Sequence, residues 1–251
     1  MKAQCFACPV FVEGADADAV AAAFIAHGQT IHAWSYPEQA LRNYAVNYAE
    51  AIDRVGTDTE RRPEIGDVTV HAMAEGRVDD WLGLFDRDGF AGNPGWAACY
   101  CLEPHLPAPP EMPERAWRET RATMAQRLRD GSTFGYLAYA DGKAIGWVNA
   151  SRRSEYRLYQ INGGPEPESV VGVSCFVVAP AYRRHGVAAA LLDRVIADAA
   201  GRGASWVEGY PHNEPERTDA GHFRGPRSMY DERGFEAVEV LDRYTVMRRP
   251  A

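Results

Sequence analysis

The sequence predicts a mixed α/β (α+β) domain preceded by a small helical module. Three observations point there. Beyond residue 67, stretches rich in β-branched and aromatic residues alternate with helical patterns. Residues 134–150 form two strand patterns around Asp141-Gly142, a hairpin signal that makes part of the sheet antiparallel. Residues 169–178, SVVGVSCFVV, read as a β-strand that runs through a glycine turn into a helix at 187–200.

The elements follow in order. Val20, Phe24 and His27 fall on one helical face, Asp16 or Asp18 caps that helix, and Gly28 is expected to end it. A second helix spans 38–55 on Leu41, Tyr44, Tyr48, Ile52 and Val55. Residues 57–66 lie in a polar, proline-interrupted stretch that reads as a linker between a module at 1–56 and a domain at 67–251. A strand is expected at 67–73, a helix near 78–86, a loop-rich stretch at 87–113 and a helix at 114–129. After the 187–200 helix come a strand at 205–211, a short helix near 227–232 and closing strands.

The chain has 27 basic and 35 acidic side chains, a formal net charge of −8. That balance argues against nucleic acid as the main ligand, which needs a clustered basic surface. No apolar run approaches the ~18 residues of a membrane span, and the first residues lack a signal-peptide core. A cytoplasmic protein is expected, with no membrane partner.

Five cysteines do not suggest a disulfide framework. Cys5-x2-Cys8-x18-His27-x4-His32 instead has the ligand types and outer spacings of a structural zinc site. So small a module lacks a sufficient core of its own, and one zinc per chain would supply the constraint. Residues 1–66 hold 5 basic and 9 acidic side chains, so a partner surface or a lid fits this zinc-finger-like module better than DNA reading.

The segment VAPAYRRHGVAAALL places Arg183, Arg184 and His185 directly before Gly186 and a small-residue helix. The first amides of a helix have no internal partners and the helix dipole favours anions there. Glycine admits close approach of a ligand to the backbone, and the arginines would add charge-assisted bonds. A phosphate cradle is one reading of this turn; a basic surface turn is the other. Neither a Walker loop nor a dinucleotide fingerprint is present.

This segment resembles the acyl-CoA motif of the GNAT superfamily of N-acetyltransferases. Arg183, Gly186 and Ala188 occupy the Arg/Gln-x-x-Gly-x-Gly/Ala positions, and Tyr230, Gly234 and Phe235 resemble the family's Tyr-x-x-x-Gly-Phe ending. Phe223 stands where the family often has asparagine. The likeness covers residues 67–250. It implies a mostly antiparallel sheet with a splayed central strand and flanking helices, and an acetyl-CoA-dependent N-acetyltransferase. The pantetheine arm would lie along Phe176, Val177 and Val178. The pyrophosphate would sit on the amides from Arg184 through His185, Gly186, Val187 and Ala188 to Ala189, with Arg183 beside them. The acceptor would be a small-molecule or peptide amine, and a homodimer is left open.

Direct attack requires that an amine of pKa near ~10 lose a proton and a thiolate of pKa about 8.5 leave. Tyr230 is the candidate acid. Glu208, a carboxylate in an apolar strand, is the candidate base. Cys175 could be imagined as a nucleophile but reads better as a small buried strand residue. The loop with Asn93, Trp96, Cys99, Tyr100, Cys101 and His105 is the expected acceptor wall, and its Cys-x-Cys with His105 could alternatively hold a metal. The rival to an enzyme is a non-catalytic acyl-CoA sensor whose zinc module contacts a partner.

Overall fold

The computed structural model describes residues 1–106, 115–157, 161, 164–214 and 218–251. Most of the expected proline-rich loop at 107–113 and the first residue of the expected 114–129 helix lie outside the described residues.

Two short strands, β1 (Lys2–Gln4) and β2 (Phe11–Glu13), form an antiparallel hairpin ahead of two helices, α1 (Ala17–His32) and α2 (Glu38–Arg54). Asp16 caps α1, accepting from the Ala19 amide at 2.9 Å. Gly28 does not end this helix, which continues to His32. A Cβ at Gly28 would sit 2.1 Å from the Trp34 ring, so the glycine serves a close approach of Trp34 rather than a stop. Val20, Phe24, Leu41, Ala45 and Tyr48 form the core of this part. At its far end, Ala51 and Val55 belong to the main core. Asn47 also ties α2 forward, donating to the Arg115 carbonyl at 2.6 Å and accepting from the Trp117 amide at 2.9 Å.

The remaining strands are β3 (Thr69–Ala72), β4 (Gly135–Ala140), β5 (Lys143–Arg152), β6 (Val170–Val178), β7 (Trp206–Gly209), β8 (Glu236–Val240) and β9 (Thr245–Pro250). They make a seven-stranded sheet in the order β3-β4-β5-β6-β7-β9-β8. Every neighbouring pair is antiparallel except β6 and β7. The Asp141-Gly142 hairpin stands where the sequence placed it.

The helices are α3 (Val78–Gly83), α4 (Trp117–Arg129), α5 (Val187–Ala199) and α6 (Arg227–Asp231). Helix α3 runs into a π-helical turn, Leu84–Asp88, which accounts for the rest of the helix expected near 78–86. On β5, Gly146 meets α5: a Cβ there would lie 2.8 Å from Val187 Cγ1. Trp147, one residue on, meets Trp81 of α3 at 6.1 Å. Successive strand residues face opposite ways, so α5 covers one face of the sheet and α3 the other. Among the described residues no helix is long and apolar enough to cross a membrane.

One feature of the sheet positions the site. Strand β6 pairs with β5 out to Val178, but with β7 only over Val170–Val173. Beyond Val173, among the described residues, β6 has no strand paired on its β7-facing edge. A register shift opposite Asn149/Ala150 gives Ser174 no partner in the β5 ladder, a bulge at the point of divergence.

Candidate active site

The open edge of β6 leads directly into the Arg183–Ala189 turn. Gly186 is the N-cap of α5 at φ +74°, and Arg184 is also left-handed at φ +65°. A Cβ at Gly186 would meet nothing within 4 Å, so the space above the turn is open. The Arg183 amide bonds to Pro180 O and the Ala190 amide to Gly186 O. Among the described residues, the six amides between them donate to no backbone or side-chain acceptor. This is a concave row of donors at a helix start, suited to a phosphate.

The side chains of the turn are engaged by other parts of the chain. Arg183 Nε donates to Val178 O at 3.0 Å. Arg184 pairs with Asp219. His185 Nε2 donates to Arg62 O at 2.8 Å, while the Arg62 amide donates to Ala181 O at 2.9 Å. These side chains therefore shape the turn, and His185 ties the 57–66 segment to it. None of these side chains occupies the backbone amides of the turn.

Tyr230 stands in the splay. A Cβ on Gly209, the last paired residue of β7, would lie 2.1 Å from the Tyr230 ring. Gly225, at φ +79°, fits between the rings of Tyr230 and Phe176. Tyr230 is fully buried, and its hydroxyl donates to Arg224 O at 2.7 Å. Burial pushes its phenol pKa well above the ordinary tyrosine value.

Glu208 is fully buried too, but its surroundings are not the apolar ones expected. Its Oε1 accepts from Arg153 Nη1 at 3.0 Å and from Arg248 Nε at 2.7 Å, and its Oε2 accepts from Tyr210 Oη at 3.1 Å. Arg248 is its cross-strand partner on β9, whereas Arg153 arrives from the end of β5. The pairing with Arg248 follows from strand register; nothing local in the sequence signals Arg153.

Cys175 Sγ lies 3.1 Å from Cys101 Sγ, with both thiols buried. Burial pushes the Cys99 and Cys101 thiol pKa values far up, which keeps them protonated and inert. His105 does not join these cysteines as a metal ligand. Its Nε2 accepts from Asn149 Nδ2 at 2.9 Å and its Nδ1 donates to Glu155 O at 3.2 Å. Of the expected acceptor wall, Trp96 is 42% exposed. It meets Phe223 edge-on at 5.8 Å, and the Arg224 guanidinium lies 5.3 Å from the Phe223 ring and 5.1 Å from that of Tyr244.

Far from this site in sequence, Cys5, Cys8, His27 and His32 converge, their ligand atoms all within 4.8 Å of one another. Cys5 Sγ is 3.4 Å from His32 Nε2, and Cys8 Sγ is 3.4 Å from His27 Nε2. The hairpin connection supplies the thiols and the last turns of α1 supply the imidazoles. Extension of α1 past Gly28 is what brings His32 to the cluster.

Residues 96–219 match the acetyltransferase (GNAT) family. This stretch is a GNAT acetyltransferase domain. It contains β4 to β7, α4, α5 and the whole amide cradle; Tyr230, Gly234 and Phe235 lie beyond the matched residues. None of the curated proteins compared with the chain matches it. Solved structures with similar folds include the GNAT domain of an S. lividans PAT, at 15% identity over 74% of this chain and 92% of that one, with a TM-score of 0.48. The PaiA N-acetyltransferase of Thermoplasma acidophilum, solved with coenzyme A, is 13% identical over 74% and 99%, with a TM-score of 0.46. The aminoglycoside N-acetyltransferase AAC(6')-Iy, also solved with CoA, is 20% identical over 72% and 95%, with a TM-score of 0.44.

Proposed function

We propose that the protein transfers the acetyl group of acetyl-CoA to a primary amine, on a small molecule or a peptide, by direct attack. The observation that carries this is the row of unbonded amides at residues 184–189, continuous with the open edge of β6. The amides take the pyrophosphate. The backbone of Phe176, Val177 and Val178 pairs with the amide-bearing arm as an added strand would. The thioester then reaches the splay, where Tyr230 stands. The amine adds to the thioester carbonyl as its free base, and the C–S bond breaks. Tyr230 gives its proton to the departing sulfur and recovers one from the ammonium nitrogen, which balances the step. The aromatic wall of Trp96 and Phe223 borders the acceptor.

Glu208 is assigned a positioning role in place of the base role its sequence context suggested. It is enclosed, and it holds Arg153, Arg248 and Tyr210 where the strands divide. In the amino-terminal part, Cys5, Cys8, His27 and His32 would hold one structural zinc. Two thiolates and two neutral imidazoles suit tetrahedral zinc, and the 3.4 Å thiol–imidazole separations suit ligand edges around one ion. The metal would fix the hairpin to the end of α1.

The test is release of CoA from acetyl-CoA by the full chain across small and peptide amines, with calorimetric titration of CoA alone. Gly186→Glu puts a carboxylate in the open space above the turn. It should abolish CoA binding with the fold intact. Unaltered CoA affinity in the folded variant overturns the reading.

A further inference from the structure

A second basic feature, built from none of the cradle residues, lies between α2 and α4. It is a cleft of about 510 Å³ lined by Arg54, Asp86, Arg87, Trp117, Arg118 and Arg121. Arg54 comes from α2, Arg87 from the π turn after α3, and the other two arginines from the first turns of α4. Two guanidiniums pack on the Trp117 ring, that of Arg54 at 4.3 Å and that of Arg118 at 4.5 Å.

The counter-charges are already engaged. Asp86 accepts from Arg121 Nε at 2.9 Å, from Arg121 Nη2 at 2.8 Å and from Tyr100 Oη at 2.7 Å. Glu50 Oε2 takes both Trp117 Nε1 and Arg118 Nη1 at 2.5 Å. Arg54 has only neutral acceptors within bonding distance, Tyr100 Oη at 2.7 Å and Ala97 O at 3.1 Å; Asp86 is 3.9 Å away. Its side chain is only 15% exposed. Among the described residues Arg87 makes no ion pair. Four guanidiniums thus face two carboxylates, an excess of two positive charges, on a chain whose net charge is −8.

Asp86, the nearest carboxylate to Arg54, is shared with Arg121, so the charge of this enclosed guanidinium is only partly compensated. Guanidinium forks match phosphate oxygens bidentately, and a phosphate monoester carries close to two negative charges at neutral pH. The volume exceeds that of a bare phosphate and leaves room for an organic group. We infer that the Arg54–Arg87–Arg118–Arg121 cleft binds a phosphate monoester, at a site joining α2 to the acetyltransferase domain and separate from the CoA cradle.

The experiment is calorimetric titration of the full chain, without CoA, using glycerol 3-phosphate, with glycerol as control. Low salt keeps surface electrostatics unscreened. Saturable binding with Kd below about 1 mM is expected. Arg87→Gln and Arg118→Gln should each weaken it roughly tenfold, as expected for loss of one charge-assisted contact. Both side chains are exposed, so neither change threatens the fold. Gly186→Glu should leave the affinity unchanged, because the cradle is a different site. Absence of saturable binding, equal affinity in both arginine variants, or loss of binding in Gly186→Glu overturns the inference.

Discussion

Asn149 Nδ2 donates to His105 Nε2 at 2.9 Å, which fixes His105 as an acceptor on that nitrogen and therefore as a neutral ring. Burial, with the Arg127 charge adding to it, pulls the His105 pKa down from 6.5 to about 4. In the unfolded chain the ring takes a proton near its ordinary value. Between those two points the unfolded state binds more protons, so the stability contributed by a neutral His105 is full above pH 6.5 and is lost as pH falls toward 4. The full shift corresponds to about 3 kcal/mol. Gln at 105 can accept from Asn149 and donate to Glu155 without titrating. Urea unfolding at pH 7 and pH 4.5 should show His105→Gln losing about 2–3 kcal/mol less than wild type over that interval. Parallel losses in the two proteins would remove His105 as the titrating group.

Glu208 is the counter-ion of two arginines, so its removal is foremost a stability event. Glu208→Gln leaves Arg153 and Arg248 without a carboxylate, and breaking a buried pair costs about 3–5 kcal/mol. Thermal unfolding should report that loss. The acid limb of the rate profile should stay where it is in wild type, because a positioning residue does not set it. A flattened or displaced acid limb in the folded Glu208→Gln protein would return Glu208 to the role of base.

The sheet was readable because its signals are local. The Asp141-Gly142 hairpin, the glycine turn before α5 and the apolar stripe of α5 each lie within a few consecutive residues. The zinc-type quartet was readable because ligand chemistry shows in residue types and spacing. What escaped was non-local. Gly28 looked like a stop because its reason, the Trp34 ring folded back upon it, lies outside the helix. Glu208 looked apolar in context because Arg248 reaches it from β9 and Arg153 from the turn that follows β5. The arginine cleft was invisible, since its four cations are spread from residue 54 to residue 121 and only the packing of α2, α4 and the π turn after α3 assembles them.

The thiol and imidazole donors at Cys5, Cys8, His27 and His32 tie the β1–β2 hairpin to the end of α1. Elemental analysis should find about one zinc per chain. Chelation, or Cys8→Ser, should remove it and raise amide exchange in residues 1–32 far more than in the sheet. A metal-free protein with unchanged protection in that segment would show that the four side chains hold together without an ion.

Tyr230 provides the sharpest test of direct transfer. Burial holds its phenol proton to a pH above that of ordinary tyrosine, so the donor stays loaded as the acceptor amine is deprotonated. The acid limb should therefore belong to the acceptor. Exchanging an amine of pKa about 10 for one of about 8 should move that limb down by roughly two units. Tyr230→Phe keeps the ring over Gly209 and removes only the donor. It should lower kcat by about 10²–10⁴ with little change in KM for acetyl-CoA. It also leaves Arg224 O without its donor, a cost of about 1–3 kcal/mol that unfolding measurements register separately from rate. Under direct transfer from sulfur to nitrogen, Cys175→Ala should retain most activity. A folded but inactive Cys175→Ala beside a fully active Tyr230→Phe would reverse the assignment and require an acyl-cysteine intermediate.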